Sequence, residues 1–516
     1  MQEYDVIVIG GGHNGLVAAA YLARAGLAVR LLERLPHVGG AAVSAQAFDG
    51  VDVRLSRYSY LVSLLPSRIV DDLGAAVRLA RRPFSSYTPD PATAGRSGLL
   101  VEPNGAGTFA AIGAAADERG FAAFYRRCRL VTERLWPTLT EPLRTREQLR
   151  RRVVEHSGRA AATAWRAMID EPIGHAITGA VADDLVRGVI ATDALIGTFA
   201  RLDDPSLTQN ICFLYHVLGG GTGDWDVPVG GMGSVTSALA AAAIRNGAGI
   251  VTGAEVFALE PTGEVRYRAG GDEHTARGRF VLAGVTPAVL ANLLGEPEPR
   301  LTPGAQVKVN MVVRRLPRLR DARVAPEQAF AGTLHVNETW TQLDTAYARA
   351  AAGRLPEPLP CEAYCHSLTD SSILSDRLRE AGAHTMTVFG LQTPHSLCSD
   401  GVRAQLTRSV LDSLNSVLAE PIQDVLMSDA GGRPCIETTT TADLQRTLLM
   451  TGGNIFHGAL SWPFAEDDEP LDTPARQWGV ATDHERIMLC GSGARRGGAV
   501  SGIGGHNAAM AVLASL

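Results

Sequence analysis

The chain has 516 residues, of which 46% are hydrophobic and 20% charged, with a net charge of -6. These values describe a globular protein of more than one domain, and the acidic balance gives no case for a nucleic-acid partner. No uninterrupted apolar run approaches about 18 residues, and the N-terminus runs straight into a strand pattern, so a cytoplasmic protein with no spanning helix is expected.

The first predicted elements are the most informative. A β-branched run, Asp5 to Ile9, ends in Gly10-Gly11-Gly12-His13-Asn14-Gly15. A helix pattern from Leu16 to Ala25 follows, then an apolar strand from Ala28 to Leu32 that ends at Glu33. Strand, glycines, helix, strand and acid fall at the spacing of a dinucleotide-binding unit. Gly10 permits the tight turn, Gly12 lets the backbone approach a pyrophosphate, and Gly15 lets helix and strand pack closely. The helix N-terminus offers free N–H groups and partial positive charge to the phosphates. Glu33 lies where a carboxylate accepts ribose hydroxyls and disfavours a 2′-phosphate.

The next residues, Arg34-Leu35-Pro36-His37-Val38-Gly39-Gly40-Ala41, carry a family likeness. The chain here resembles the FAD-dependent amine-oxidase flavoprotein superfamily, and within it the phytoene-dehydrogenase-like branch that includes phytoene desaturases and carotenoid ketolases. The resemblance implies FAD as cofactor, contacted by Gly10, Gly12, His13, Asn14, Gly15, Glu33, Arg34, Gly39, Gly40 and Ala41. Many relatives carry Arg after the Gly-Gly pair; this chain departs from them at Ala41, which leaves one pyrophosphate contact open. Val51 to Tyr60 continues the unit, with Arg54, Arg57 and Tyr58 as site-lining or surface residues.

From about residue 76 the βα pattern stops. Arg144 to Met168 predicts a long helix with a basic cluster at Arg150, Arg151 and Arg152; it is either a solvated face or a cap resting peripherally on a membrane. Pro172 to Gly221 is apolar and helical, and His216 lies in its last stretch as a core or catalytic histidine. Val227 to Ser234 is a glycine-rich turn opening a helix from Val235 to Asn246, then a strand from Gly249 to Phe257. By resemblance this returns the chain to the flavin domain and sets Val256 at the adenine. Arg279 to Gly284 is a further buried strand.

Gln306 to Val313 and His384 to Gln392 alternate as strands of a mixed sheet. Lys308 is the one lysine among 48 basic residues. Its segment resembles the superfamily strand whose lysine holds a water against flavin N5, so Lys308 is a catalytic candidate; the plainer reading is a lysine snorkelling from a strand edge. His457, in Gly452 to Gly458, is a second candidate general base near the cavity. The seven cysteines form no C-x-x-C pair and no ligand set, so free reduced thiols and no metal are expected. The last segment pairs a strand, Arg486 to Cys490, with Gly491 to Gly505 and a helix from Asn507. By resemblance Gly491, Gly498, Val500, Gly502 and Ile503 meet the flavin.

The expected fold is α/β: a Rossmann-type FAD-binding domain from residues 1–75, 225–295 and 480–516, and an α+β substrate domain with a mixed sheet and helical cap from 76–224 and 296–479. The expected function is a desaturase- or dehydrogenase-like oxidoreductase that moves hydride from a lipophilic or secondary-metabolite-like small molecule to noncovalent FAD. A flavin amine oxidase and a FAD-bound scaffold without turnover are the alternatives. Oligomeric state and electron acceptor stay open.

Overall fold

The computed structural model describes residues 2–516. Two seven-stranded sheets organise it. The first begins with the strand Gln2–Ile9, which lies between Val29–Glu33 and Asp272–Ala283, parallel to both. Ile487–Leu489 adds in parallel beside Val281 to Ala283, and Gly249–Thr252 pairs in parallel with Val29–Glu33. The parallel core thus draws strands from the beginning, middle and end of the chain.

Val6, Ile7, Val8 and Ile9 are all buried because both faces are covered. Val6, Val8 and Leu31 pack towards the helices His13–Arg24, Met232–Arg245 and Ile503–Ala514. Ile7, Ile9, Leu32 and Val281 pack on the other side with Leu290. The fold class is α/β, as expected from the sequence.

Several boundaries differ from the sequence reading, and two short strands go beyond it. The strand expected from Gly249 to Phe257 is two strands, Gly249–Thr252 and Glu255–Leu259. Gly253, at φ +65°, turns the chain between them, and the Ala254 N–H then donates to the Glu33 carbonyl at 2.8 Å. The last helix begins at Ile503, not Asn507. Glycines weaken helices, which hides Gly504 and Gly505 from a propensity argument; here a side chain at 505 would collide with the first helix. Ser86–Pro89 and Gly98–Val101, too short to stand out, join the second sheet.

That second sheet is mixed. Val307–Val313 pairs antiparallel with His384–Gly390 and with Ile436–Thr440, while Thr333–Val336 runs parallel to Ser86–Pro89. Val307, Val309, Met311 and Val313 point into one core, which leaves Lys308 and Asn310 on the opposite face. A helical layer, including Glu118–Leu135, Arg146–Trp165 and Thr208–Leu218, completes the cap. In it Arg150 and Arg151 are paired with Glu147, and Arg152 with Glu141. Among the described residues no helix is long and apolar enough to cross a membrane.

Candidate functional site

One cavity of about 650 Å³ runs from the glycines after the first strand, past the 56–60 segment, to the wall of the second sheet. At the first end Gly10, at φ +100°, makes the turn that its glycine identity predicts, and its N–H donates to Leu32 at 2.8 Å. Gly12 begins the His13–Arg24 helix with no side-chain cap, so the first-turn N–H groups are left for a ligand. A Cβ built on Gly12 meets nothing within 4 Å, whereas one on Gly15 would lie 2.1 Å from the Gly10 carbonyl oxygen. The two glycines therefore serve different ends: Gly15 closes the packing, and Gly12 keeps space open.

Glu33 is buried and already held by the backbone. Its carboxylate accepts the Gly11 N–H and the Leu35 N–H, both at 2.7 Å. A carboxylate has lone pairs to spare beyond those two, so the fixed group can still accept hydroxyls. Arg34 donates to the Thr447 carbonyl at 2.7 Å. Arg34, Gly40, Ala41 and, from the far edge, Val256 line the same cavity, as do His13 and Asn14. Ala41 contributes backbone there, its carbonyl accepting the Ser59 N–H at 3.0 Å.

The end of the chain closes over this unit. Cys490 donates to Ala283 at 2.9 Å, and Asn14 Nδ2 donates to Ser492 Oγ at 3.4 Å. Gly491, Gly498 and Val500 line the cavity. Gly39, Gly502 and Ile503, expected as cofactor contacts, lie behind the wall. Gly39 donates to Gly11 at 2.8 Å and has Val43 within 2.6 Å of its Cβ position; Gly502 starts the last helix at φ +71° against Val17; Ile503 is buried, its N–H on Ser501 Oγ. Their contacts in this structure are with the protein.

Two half-buried imidazoles, His13 and His457, line the cavity at this end. Burial pushes His13 down to about 4, and the nearby His457 pushes the same way; burial also takes His457 to about 4. His13 Nε2 and His457 Nδ1 are enclosed without a hydrogen-bond partner. His457 sits at φ +64° on the turn after Asn454. An uncapped helix N-terminus, an open Gly12, a fixed acid and two partnerless ring nitrogens in one cavity fit a dinucleotide.

Lys308 also reaches the cavity, but not as expected. It is 5% exposed, and its ammonium donates to the carbonyls of Ser56 (2.7 Å), Arg57 (3.1 Å) and Tyr58 (2.7 Å). Three protons meet three acceptors, so no donor is left to hold a water. Burial pushes the group well below its ordinary range, and Glu437 pulls it back. Asn310 adds a fourth tie, Nδ2 to Arg57 at 3.0 Å. Lys308 is thereby a clamp on the 56–58 segment. His216, pushed down to about 4 by burial, lies against Trp225 at 4.7 Å between ring centroids, and Trp225 Nε1 donates to its carbonyl. That is the setting of a packed wall residue.

Sequence reasoning missed a buried polar cluster on the opposite wall. Asp193, His335 and Glu362 line the cavity. Glu362 accepts from Tyr364 Oη and, at 3.1 Å, from Thr192 Oγ1. Burial, and then the charge of Glu362, pushes Asp193 up to about 8; burial also raises Glu362. His335 is pushed down to about 3 by burial and then by Arg82. Tyr60 and Tyr364 stand beside this cluster, ring centroids 5.0 Å apart. The available signal was an acid inside an apolar strand, Cys361-Glu362-Ala363, where alternation alone would not put a charge.

Residues 8–67 match the model of the NAD(P)-binding Rossmann-like domain. The chain is 78% identical over 523 residues to an uncharacterized protein of Mycobacterium tuberculosis, covering 100% of this chain and 98% of that one. It is 31% identical to pyridine nucleotide-disulfide oxidoreductase domain-containing protein 2 of Rattus norvegicus, covering 100% and 94%. Among solved structures, a variant of putrescine oxidase superposes with a TM-score of 0.58 at 15% identity, covering 100% of both chains.

Proposed function

The chain belongs to the family of pyridine nucleotide-disulfide oxidoreductase domain-containing protein 2, and from that premise we propose that it is a FAD-dependent oxidoreductase that removes hydride from a C–H bond of a small molecule with an apolar body. FAD, when bound, supplies the hydride acceptor. The observation that carries the reading is the uncapped helix N-terminus at Gly12, which shares one cavity with the fixed Glu33 and the Gly491 to Val500 return. The helix N-terminus would hold the pyrophosphate and Glu33 the ribose, while Gly498 and Val500 would border the flavin. Lys308 and Asn310 hold the 56–58 backbone, so Tyr60 presents its ring from a fixed support. Phe121, Val189, Ile196, Val217 and Phe389 supply the apolar wall that supports a desaturase-like substrate.

The name of the rat relative refers to a disulfide. In this chain all seven cysteines are free, and the two at the cavity, Cys128 and Cys212, are pushed up to about 12 by burial. Such thiols stay protonated at neutral pH and make poor redox partners.

A second reading, an amine oxidase, is favoured by one observation: the paired rings of Tyr60 and Tyr364 on the cavity wall. Aromatic faces attract an organic ammonium. One experiment separates the two. The purified protein is scanned for a flavin spectrum and then mixed anaerobically with polyenes or other apolar C–H donors and, separately, with primary amines. Bleaching by the apolar donors supports the first reading, and bleaching by amines the second. Protein that binds NAD but takes up no FAD overturns both.

A further inference from the structure

Three buried side chains of ligand type meet beside the cavity. One atom each from His335, Glu338 and Glu362 lies within 4.8 Å of the other two. Glu338 is 1% exposed, and neither of its carboxylate oxygens has a partner at hydrogen-bond distance: the neighbouring Thr192 hydroxyl donates to Glu362 instead. A carboxylate stripped of water and given no partner is strongly unfavourable unless a cation or a proton joins it. Arg82 forms no ion pair with Glu338: two of its five N–H groups go to the Trp225 carbonyl and Thr333 Oγ1, and its charge acts on Glu362 and His335 without contact.

The supports are rigid. His335 Nδ1 is 3.1 Å from Thr88 Oγ1, which fixes the ring and turns Nε2 towards Glu362 Oε1, 4.0 Å away. That gap is too long for a hydrogen bond. It is close to the ~3–3.5 Å between ligand atoms that share an ion with bonds of about 2.1 Å. A hydrogen bond to the far nitrogen is how ligating imidazoles are commonly oriented. Asn337, at φ +59°, turns the chain between His335 and Glu338, and the Glu338 carbonyl packs so tightly on Gly188 that a Cβ there would lie 1.9 Å from it.

We propose that His335, Glu338 and Glu362 form a site for one divalent first-row transition cation. One imidazole and two carboxylates suit manganese, ferrous iron or zinc. Two of the three ligands line the cavity, so the ion has an entry path and open coordination positions.

The test uses the full-length flavin-loaded protein, stripped with a chelator and titrated with Mn²⁺ followed by electron paramagnetic resonance. The expected result is one saturable site per chain, weakened at least about tenfold in Glu338→Gln with FAD content unchanged. If Glu338→Gln does not fold, the thermal midpoint of the wild type is read instead. It should rise as Mn²⁺ or Zn²⁺ saturates the site. Absence of saturable binding, unchanged affinity in the variant, or an unmoved midpoint overturns the site and leaves a shared proton between the carboxylates. FAD content is read separately, so failure here is distinct from failure of the flavin reading.

Discussion

The Asn14 carbonyl oxygen stands 1.9 Å from where a Cβ on Gly505 would be. The first and last helices cross at this point, and with them the first dinucleotide unit and the C-terminal return. Because the obstacle is backbone, it cannot swing aside. Gly505→Ala should cost about 1–3 kcal/mol or more of stability by overpacking and loosen both ends of the cofactor cavity together. Denaturant melts and FAD per chain check this. A variant with wild-type stability would show that the helices can separate freely.

Lys308→Met leaves the Ser56, Arg57 and Tyr58 carbonyls without their shared donor. The Arg57 carbonyl keeps Asn310 Nδ2, so the Ser56 and Tyr58 carbonyls lose this donor outright, each at a cost on the order of 1 kcal/mol. The expected outcome is a loss of about 2 kcal/mol in denaturant stability, visible even in protein without cofactor. If the variant matches wild type in stability and only the flavin half-reactions slow, Lys308 acts on chemistry and the clamp is incidental.

Acid should weaken the fold through its neutral histidines. His506 is buried against Tyr21 and Trp478, and burial takes it to about 4 from an ordinary 6.5; the charges of Arg68 and Arg496 push the same way, while Asn507 and Asp72 oppose. The unfolded chain therefore binds the proton first. The contribution is fully present above about pH 6.5 and is lost as pH falls towards 4, up to ~3 kcal/mol. His506→Phe keeps the ring contacts and should flatten the stability–pH slope in that window. An unaltered slope would place the acid sensitivity elsewhere.

The cofactor end was legible because its chemistry is backbone chemistry. Gly10, Gly12 and Gly15 announce a turn, an opening and a close approach, and Glu33 marks the strand end. The wall was less legible. Lys308 stands out as the one lysine, but only its neighbours across the fold reveal that its protons go to carbonyls. His335 and Glu338 are three residues apart across the turn at Asn337, but Glu362 lies on a separate strand, so no local spacing brings it to them. Gly504 and Gly505 read as loop because propensity cannot see the helix against which they pack.

The most direct test of the account is Gly12→Ala. Gly12 has an ordinary φ of -67°, and its Cβ position meets no protein atom within 4 Å. The added methyl is therefore harmless to the protein alone and harmful only to a pyrophosphate seated on the helix N-terminus. Thermal midpoint without cofactor and FAD affinity are measured on the same preparations. The account predicts an unchanged midpoint and FAD binding weakened by at least about tenfold, or ~1.4 kcal/mol. FAD bound as tightly as in wild type would contradict it.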